Sequence, residues 1–351
     1  MLTSTPKKIL IAPLDWGLGH TSRCIALALH YQQQGHLIYF AGNAIQQKLF
    51  AAACPFVTLI HLEGYGVGYP KSGWAFMPKM VAQLPKIQKA IRREHSWLEA
   101  QMRIHHFDVI LSDNRYGLHH PKATSILLTH QLHIQTGTKL GDWVIEAKTK
   151  QLLQHFSEVW VVDQESDGHL AGKLSRTLNL NIPIRYLGWL SQFQFHQGVT
   201  AHPLQQRKFV LALLSGPEPM RSQLEGKLLE QMSAQASLDF VMIAGTLQSP
   251  QSLPNNVHYI PLADASTIYP YLQHCEYVIS RSGYSTVMDV IYMQKPAFFI
   301  PTPGQTEQEY IAHKLSAEGA YLCCTQKDFQ LPKVAPERVY AHPFTTLFPP
   351  L

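Results

Sequence analysis

Charge is scarce in this chain: 15% of its 351 residues are Asp, Glu, Lys or Arg, with 24 acidic side chains against 29 basic ones. Combined with 46% hydrophobic residues, that balance excludes a disordered polyelectrolyte and leaves enough apolar surface for a folded core. No dense basic run interleaved with aromatics occurs, so nucleic acid is not expected as a partner. Cysteine is sparse too. Cys24, Cys54, Cys275, Cys323 and Cys324 are odd in number and lack the paired spacings of a zinc site or a disulfide framework, which marks them as reduced and structural. No apolar run reaches the roughly 20 residues that span a bilayer, and "MLTSTPKK" leads into a strand rather than a signal peptide, so a cytoplasmic location is expected. Walker A is missing, which removes the P-loop NTPases. Also missing is any Asp-x-Asp pair of the kind that holds a sugar nucleotide through Mg²⁺ or Mn²⁺; neither a metal nor a cofactor is expected.

What is present is a repeated alternation of short β-branched runs and helical stretches. A chain of 351 residues exceeds what one core commonly organises, so two domains are expected. Strands are read at 8–14, 37–42, 56–62, 107–113, 123–130 and 157–163, and again at 208–216, 239–246, 256–262, 276–283 and 296–304. Helices fall between them, notably 78–103, where Met80, Leu84, Ile87, Ile91 and Leu98 recur at near-helical spacing. Such alternation implies parallel sheets with crossover helices: an α/β chain of two tandem Rossmann-like doubly wound domains with a cleft between them. Gln, His, Gly and Pro interrupt the pattern near 190–207, so the domains are expected over 1–190 and 208–351, joined by a linker at 191–207.

In open parallel sheets the ligand binds beyond the carboxyl ends of the strands, so the loops that follow strands carry the function. The first is "DWGLGHTSR" (15–23). Gly17 and Gly19 fill the first two positions of G-x-G-x-x-G, but the third is Ser22, and the second strand ends in "AGNA" without the carboxylate that holds an adenosine ribose; this argues against a nicotinamide or flavin site. The turn instead sets His20 at a helix N-terminus, where amides and dipole favour a neutral imidazole that can act as a base; simple helix capping is the competing reading. Asp113 closes the fourth strand at the same sheet edge, and a carboxylate on one imidazole nitrogen orients the other as a base. Its alternative role is to cap the turn "DNRYG". Asn114, Arg115 and Tyr116 after that strand, and His130 with Gln131 after the fifth, either line an acceptor site or are plain loop structure.

In the second half, "RSGYST" (281–286) offers the Arg281 guanidinium, the hydroxyls of Ser282, Ser285 and Thr286, and a close-approach glycine, Gly283, at the start of a helix, as a pyrophosphate needs. Ser215 and Gly216 form another anion-facing turn after the domain's first strand, and Asp289 is placed to accept ribose hydroxyls. In "GQTEQ" (304–308), Gln305, Glu307 and Gln308 open the next helix and can meet sugar hydroxyls, although for Glu307 a favourable interaction with the helix dipole accounts for the residue equally well.

These residues have a family look. The whole chain resembles the GT-B glycosyltransferases of family 28, the group of the MurG-type UDP-N-acetylglucosamine transferases, and more distantly the UDP-glucuronosyltransferase-like enzymes. The resemblance is densest in "GLGHTSR" and in "SRSGYSTVMDVIYMQKPAFFIPTPGQTEQEYIAHKL". It implies that Ser282 and Gly283 lie near the diphosphate, that Asp289 takes the ribose position held by a glutamate in MurG-like enzymes, and that Gln308 is the glutamine of a His-Gln sugar-binding pair whose histidine is here Glu307. The implied reaction is a metal-independent, inverting transfer: an acceptor hydroxyl, deprotonated by His20 with Asp113 behind it, attacks the anomeric carbon of a UDP-sugar, N-acetylglucosamine being one candidate. The glycine loop reads Trp-Gly-Leu-Gly-His where the peptidoglycan enzyme has Gly-Gly-Thr-Gly-Gly-His, so the acceptor, a glycolipid or cell-envelope glycan among the candidates, stays open. Two alternatives also stay open: a UDP-sugar hydrolase of the same fold, and a non-catalytic sugar-nucleotide-binding protein, which would need neither His20 nor Asp113.

The helix at 78–103 carries Lys79, Lys86, Lys89, Arg92, Arg93 and Arg103 against Glu94 and Glu99, with Trp74 and Phe76 just ahead. It reads either as a peripheral contact with an anionic membrane or as an ordinary crossover helix whose stripe packs on the sheet. The adjacent pairs His105-His106 and His119-His120 are not spaced to share one helical face, and surface or turn positions are expected for them rather than a metal site.

Overall fold

The computed structural model describes residues 5–68, 79, 81–134, 138–165, 168–196, 198–216, 218–332, 334–337 and 339–351. The chain divides into two compact units, with the boundary between Gln192 and Phe193.

The first unit is built on a seven-stranded sheet of β1 Lys8–Pro13, β2 Leu37–Gly42, β3 Thr58–His61, β4 Val109–Asp113, β5 Thr124–Thr129, β6 Glu158–Val161 and β7 Ile184–Tyr186, in the order β3-β2-β1-β4-β5-β6-β7. Its pairs are parallel. Helices α1 Gly19–Gln33, α2 Ala44–Ala53, α3 Leu84–His105 and α4 Lys139–Leu153 lie between strands. Ile9, Leu10, Ile11 and Ala12 are all fully buried. A parallel sheet is covered on both faces, which is why β1 reads as a continuous apolar run instead of alternating. On α3, Leu98 and Met102 join a cluster with Leu10, Ala12 and Ile110 of the sheet, while Ile87 and Ile91 pack beside Leu14, Tyr65 and Ala90. The described part of the stripe is therefore packed in the core, as an ordinary crossover helix requires, while Ile104 near the helix end is exposed. Trp74, Phe76, Pro78 and Met80 lie outside the described residues.

The second unit has a six-stranded sheet of β8 Phe209–Leu213, β9 Asp239–Ile243, β10 Val257–Ile260, β11 Val278–Ser280, β12 Ala297–Phe299 and β13 Leu322–Cys323, ordered β10-β9-β8-β11-β12-β13 and again parallel. Its helices are α5 Met220–Ser233, α6 Ala265–His274, α7 Tyr284–Tyr292 and α8 Thr306–Ala317. Leu224, Leu228 and Met232 of α5 pack on Val210, Ala212, Phe240, Met242 and Ile279. In each sheet the chain builds outward from its first strand and then reverses, which puts the topological switch between β1 and β4 in one unit and between β8 and β11 in the other.

Three features depart from the sequence expectations. The strands β7 and β13 span 3 and 2 residues, too short to leave a period in the sequence. Residues Phe344–Leu351 belong to the first unit, not to the second: Thr346 bridges Gly188, Trp189 N donates to Thr345 O at 2.9 Å, Tyr31 Oη donates to Pro349 O at 2.8 Å, and Phe348 stacks on His30. The 119–120 pair is not a surface feature: His119 stacks on His155 with centroids 4.8 Å apart and sits the same distance from His95, and His120 is buried with Nε2 3.4 Å from Glu99 Oε1. No helix among the described residues is long and apolar enough to cross a membrane.

Candidate active site

The register Pro13↔Asp113 brings the ends of β1 and β4 level, and Leu14 N donates to Asp113 O at 2.9 Å. The loop leaving β1 is turned by Gly17 at φ 102, a conformation open to glycine, with nothing within 4 Å of where its Cβ would stand. Gly19 then begins α1, whose first turn has no side-chain cap and no acid, so its amides stay available to an anion. One residue on, His20 points Nδ1 inward to Asp113 Oδ1 at 3.1 Å, while Nε2 makes no hydrogen bond among the described residues. The capping reading of His20 is thus replaced by a histidine–carboxylate pair. Nor does Asp113 cap its own turn: its oxygens receive Arg23 Nε at 2.7 Å, Arg23 Nη2, and the Cys24 thiol at 3.7 Å.

Burial pushes the His20 pKa down and outweighs the opposing pull of Asp113, so the imidazole is neutral at neutral pH. For Asp113, burial alone would raise the pKa, but the Arg23 guanidinium and His20 outweigh it and hold the carboxyl well below the usual range. Arg23, absent from the sequence expectations, is 1% exposed and also places Nη1 2.9 Å from His130 Nδ1. It was invisible in sequence because an arginine in a first helical turn normally reads as solvated; only its spacing from His20, one turn away, hints at a shared face.

Of the acceptor-lining candidates, His130 is drawn into this network. Arg115 is not an acceptor contact: it is fully buried, ion-paired to Glu94 at 2.8 Å and donating to the carbonyls of Pro13 and Glu63, so it belongs to the core. Asn114 sits at φ 56 with its amide on Leu128 O, a turn position. Tyr116 packs with the Leu127–Phe156 cluster, and Gln131 donates its amide to Thr129 Oγ1 at 3.0 Å.

In the second unit Gly216 repeats the geometry of Gly17, at φ 110 with open space around its Cβ position, next to half-buried Ser215. Gly283 is the N-cap of α7 and supplies no side-chain cap to that helix's first turn. Thr286 is half-buried, while Ser285 and Asp289 are 8% and 4% exposed. Gln308 is the best-oriented side chain here. Its Oε1 accepts from Thr302 N at 2.9 Å, which turns Nε2 toward Gly283, 3.9 Å from where a Cβ would be. Gln305, the N-cap of α8, keeps a buried Oε1 unpartnered among the described residues, and half-buried Glu307 lies in that helix's first turn. Two expectations are corrected. Arg281 is no cradle cation: its guanidinium donates to the carbonyls of Ile300, Pro301 and Met220 and to Gln326 Oε1, and burial lowers its pKa to about 10. The Ser282 hydroxyl is likewise committed, donating to Gln308 O at 2.8 Å.

Residues 210–339, the span that contains these loops, match the glycosyltransferase family 28 C-terminal domain. A protein of Methanosarcina acetivorans named an uncharacterized glycosyltransferase is 25% identical over 334 residues, covering 89% of this chain and 84% of that one. The second unit carries a glycosyltransferase family 28 C-terminal domain. A shorter match, 40% over 62 residues and 17% of each chain, falls on a UDP-N-acetylglucosamine–N-acetylmuramyl-(pentapeptide) pyrophosphoryl-undecaprenol N-acetylglucosamine transferase of Methylobacterium radiotolerans. Among solved structures, the glycotransferase of kitacinnamycin superposes with a TM-score of 0.64 at 14% identity, over 93% of this chain and 87% of that one; the calicheamicin glycosyltransferase CalG4 gives 0.60 at 14%, with the same coverage. The fold of this glycosyltransferase is accordingly GT-B, with one Rossmann-like sheet in each unit.

Proposed function

We propose that this chain is a family 28 enzyme that moves a sugar from a UDP-sugar to an acceptor hydroxyl with inversion and without a metal. The observation that carries the reading is the His20–Asp113 pair at 3.1 Å on the switch point of the first sheet. The acceptor hydroxyl gives its proton to His20 Nε2, its oxygen forms the new bond at the anomeric carbon, and the bond from that carbon to the diphosphate breaks, UDP leaving with the electron pair. Asp113 stabilises the imidazolium so formed. On the donor side, with Arg281 and the Ser282 hydroxyl committed to the framework, the diphosphate is met by the N-terminal end of α7 and the Gly216 turn. Asp289 takes the ribose, and Gln308 Nε2, Gln305 and Glu307 take sugar hydroxyls. N-acetylglucosamine is the donor sugar suggested by the name of the Methylobacterium relative. Metal independence rests on the lack of any Asp-x-Asp pair in the chain.

A screen of UDP-sugars by thermal shift tests the donor: at 100 times its dissociation constant a donor adds roughly 2.7 kcal/mol of stability, and no shift with any uridine nucleotide overturns the assignment. Replacing His20 by Ala should abolish transfer while that shift persists, and EDTA should leave the rate unchanged. Rapid UDP release without acceptor would instead identify a hydrolase. For the acceptor we propose a membrane-borne molecule, approached by electrostatic contact through exposed Lys86, Lys89, Arg92 and Arg103 of α3. Cosedimentation with anionic vesicles at low salt, lost at high salt, is expected; protein left in the supernatant at low salt points to a soluble acceptor.

A further inference from the structure

We propose that Arg23 is a positioning residue that holds down the basicity of His20 by sharing Asp113 with it and competing for Nδ1, so that the imidazole stays uncharged near neutral pH. The inference rests on the reading of His20 as the base.

The geometry is a four-group relay inside the first unit. Arg23 grips the carboxylate side-on, Nε on Asp113 Oδ2 at 2.7 Å and Nη2 on Oδ1. Its outward N–H groups face two imidazoles, with Nη2 2.9 Å from His20 Nδ1 and Nη1 2.9 Å from His130 Nδ1. His20 Nδ1 therefore has an anion at 3.1 Å and a cationic donor at 2.9 Å. A guanidinium keeps its protons, so Nδ1 cannot donate to Asp113 and accept from Arg23 at once. With the proton on Nδ1 and the hydrogen bond to Asp113, Nε2 has a lone pair and is a base. With Nδ1 accepting from Arg23, the proton moves to Nε2, which then donates.

A buried carboxylate beside a histidine stabilises the imidazolium and raises its pKa, and a guanidinium that shares the carboxylate offsets part of that pull. The groups facing His20 are Asp113 from β4, Arg23 from α1 and His130 after β5; Cys24 and Tyr116 lie within reach of Asp113. Of these, Arg23 is the one with a fixed positive charge, 1% exposed and so poorly screened. Removing it leaves Asp113 to act on His20 alone.

The test is an NMR titration of the His20 ring in the full chain, assigned by loss of its signal in His20→Gln, for wild type, Arg23→Met, Asp113→Asn and the Arg23→Met/Asp113→Asn double variant. Arg23→Met should raise the His20 pKa by about one unit or more, a ten-fold change in proton affinity, and its ring ¹⁵N shifts should move toward the Nδ1–H tautomer. An unchanged or lower value in a folded protein overturns the proposal. Should Arg23→Met fail to fold, the charge-balanced double variant carries the test: its His20 pKa should exceed that of Asp113→Asn, and a value equal or lower overturns the proposal. In the transfer assay the acid limb of kcat/KM should move with the NMR value, whereas a merely structural arginine would lower the rate at every pH without moving the limb. If the NMR pKa moves and the limb does not, Arg23 stands as proposed and His20 falls as the base.

Discussion

Replacing Asp113 by Asn probes the centre of the first unit, and its cost can be worked from the contacts. The amide keeps the carboxylate's shape but only one acceptor oxygen, so it meets either Arg23 Nε or Arg23 Nη2, which now grip the two oxygens, and turns an NH₂ toward the other. Arg23, 1% exposed, becomes a buried cation without a counter-charge. Breaking a buried ion pair by removing one partner costs about 3–5 kcal/mol. At roughly 2–4 °C per kcal/mol for a unit of this size, the melting temperature should fall by about 6–20 °C. Tryptophan fluorescence in a Trp74→Phe background isolates the effect, because the other five tryptophans, Trp16, Trp97, Trp143, Trp160 and Trp189, all lie in the first unit.

The pH dependence supplies an internal control. The Asp113 carboxyl is depressed in the folded state below its ordinary value of 3.8, so its stabilisation is present above that pH and is lost as pH falls below it. The gap between wild type and Asp113→Asn should therefore be full at pH 6 and should shrink on acidification. A variant that melts within about 1 kcal/mol of wild type at neutral pH, the ordinary range for a mutation breaking no special interaction, would refute the idea that this carboxylate anchors Arg23.

Two further perturbations address other parts of the fold. Gly188 sits at φ 75, and a Cβ there would lie 2.2 Å from Thr345 O; Gly188→Ala should cost about 1–2 kcal/mol in backbone conformation alone and expose the C-terminal segment to limited proteolysis, so an unchanged digestion pattern would show that the segment is held elsewhere. His119, stacked on His155 with His95 and His120 nearby, has its pKa lowered to about 4, first by burial and then by those neighbours. A folded-state value below the ordinary 6.5 means that stability is lost as pH falls from about 6.5 toward 4; His119→Phe should flatten that slope in melts at stepped pH, and equal slopes would count against the stack as its source.

Much of the site was legible before any coordinates. Each strand-end position follows from where an apolar run stops, so His20, Asp113, Ser215, Gly216 and the 281–308 loops could be assigned to two sheet edges without knowing a single contact. The roles of the arginines could not be read this way. Arg281, Arg115 and Arg23 look alike in sequence, polar residues close to site loops, yet one ties carbonyls together, one pairs with Glu94 and one grips Asp113. What separates them is which acceptors the fold leaves within reach of a long flexible side chain, and those acceptors come from residues 20 to 90 positions away.

The sequence by itself determined the parallel sheets, their two-fold repetition and the edge on which the candidate site lies, because burial on both faces of a strand demands a continuous apolar run and a glycine turn must follow it where backbone amides are to stay open. Tertiary structure alone decided the strand order that sets β1 beside β4, the return of Phe344–Leu351 to the first unit, and the partner of each buried charge. These depend on contacts between segments far apart in the chain, where local periodicity carries no record, and on the cost of burying a charge, which is met only when a specific neighbour arrives to share it.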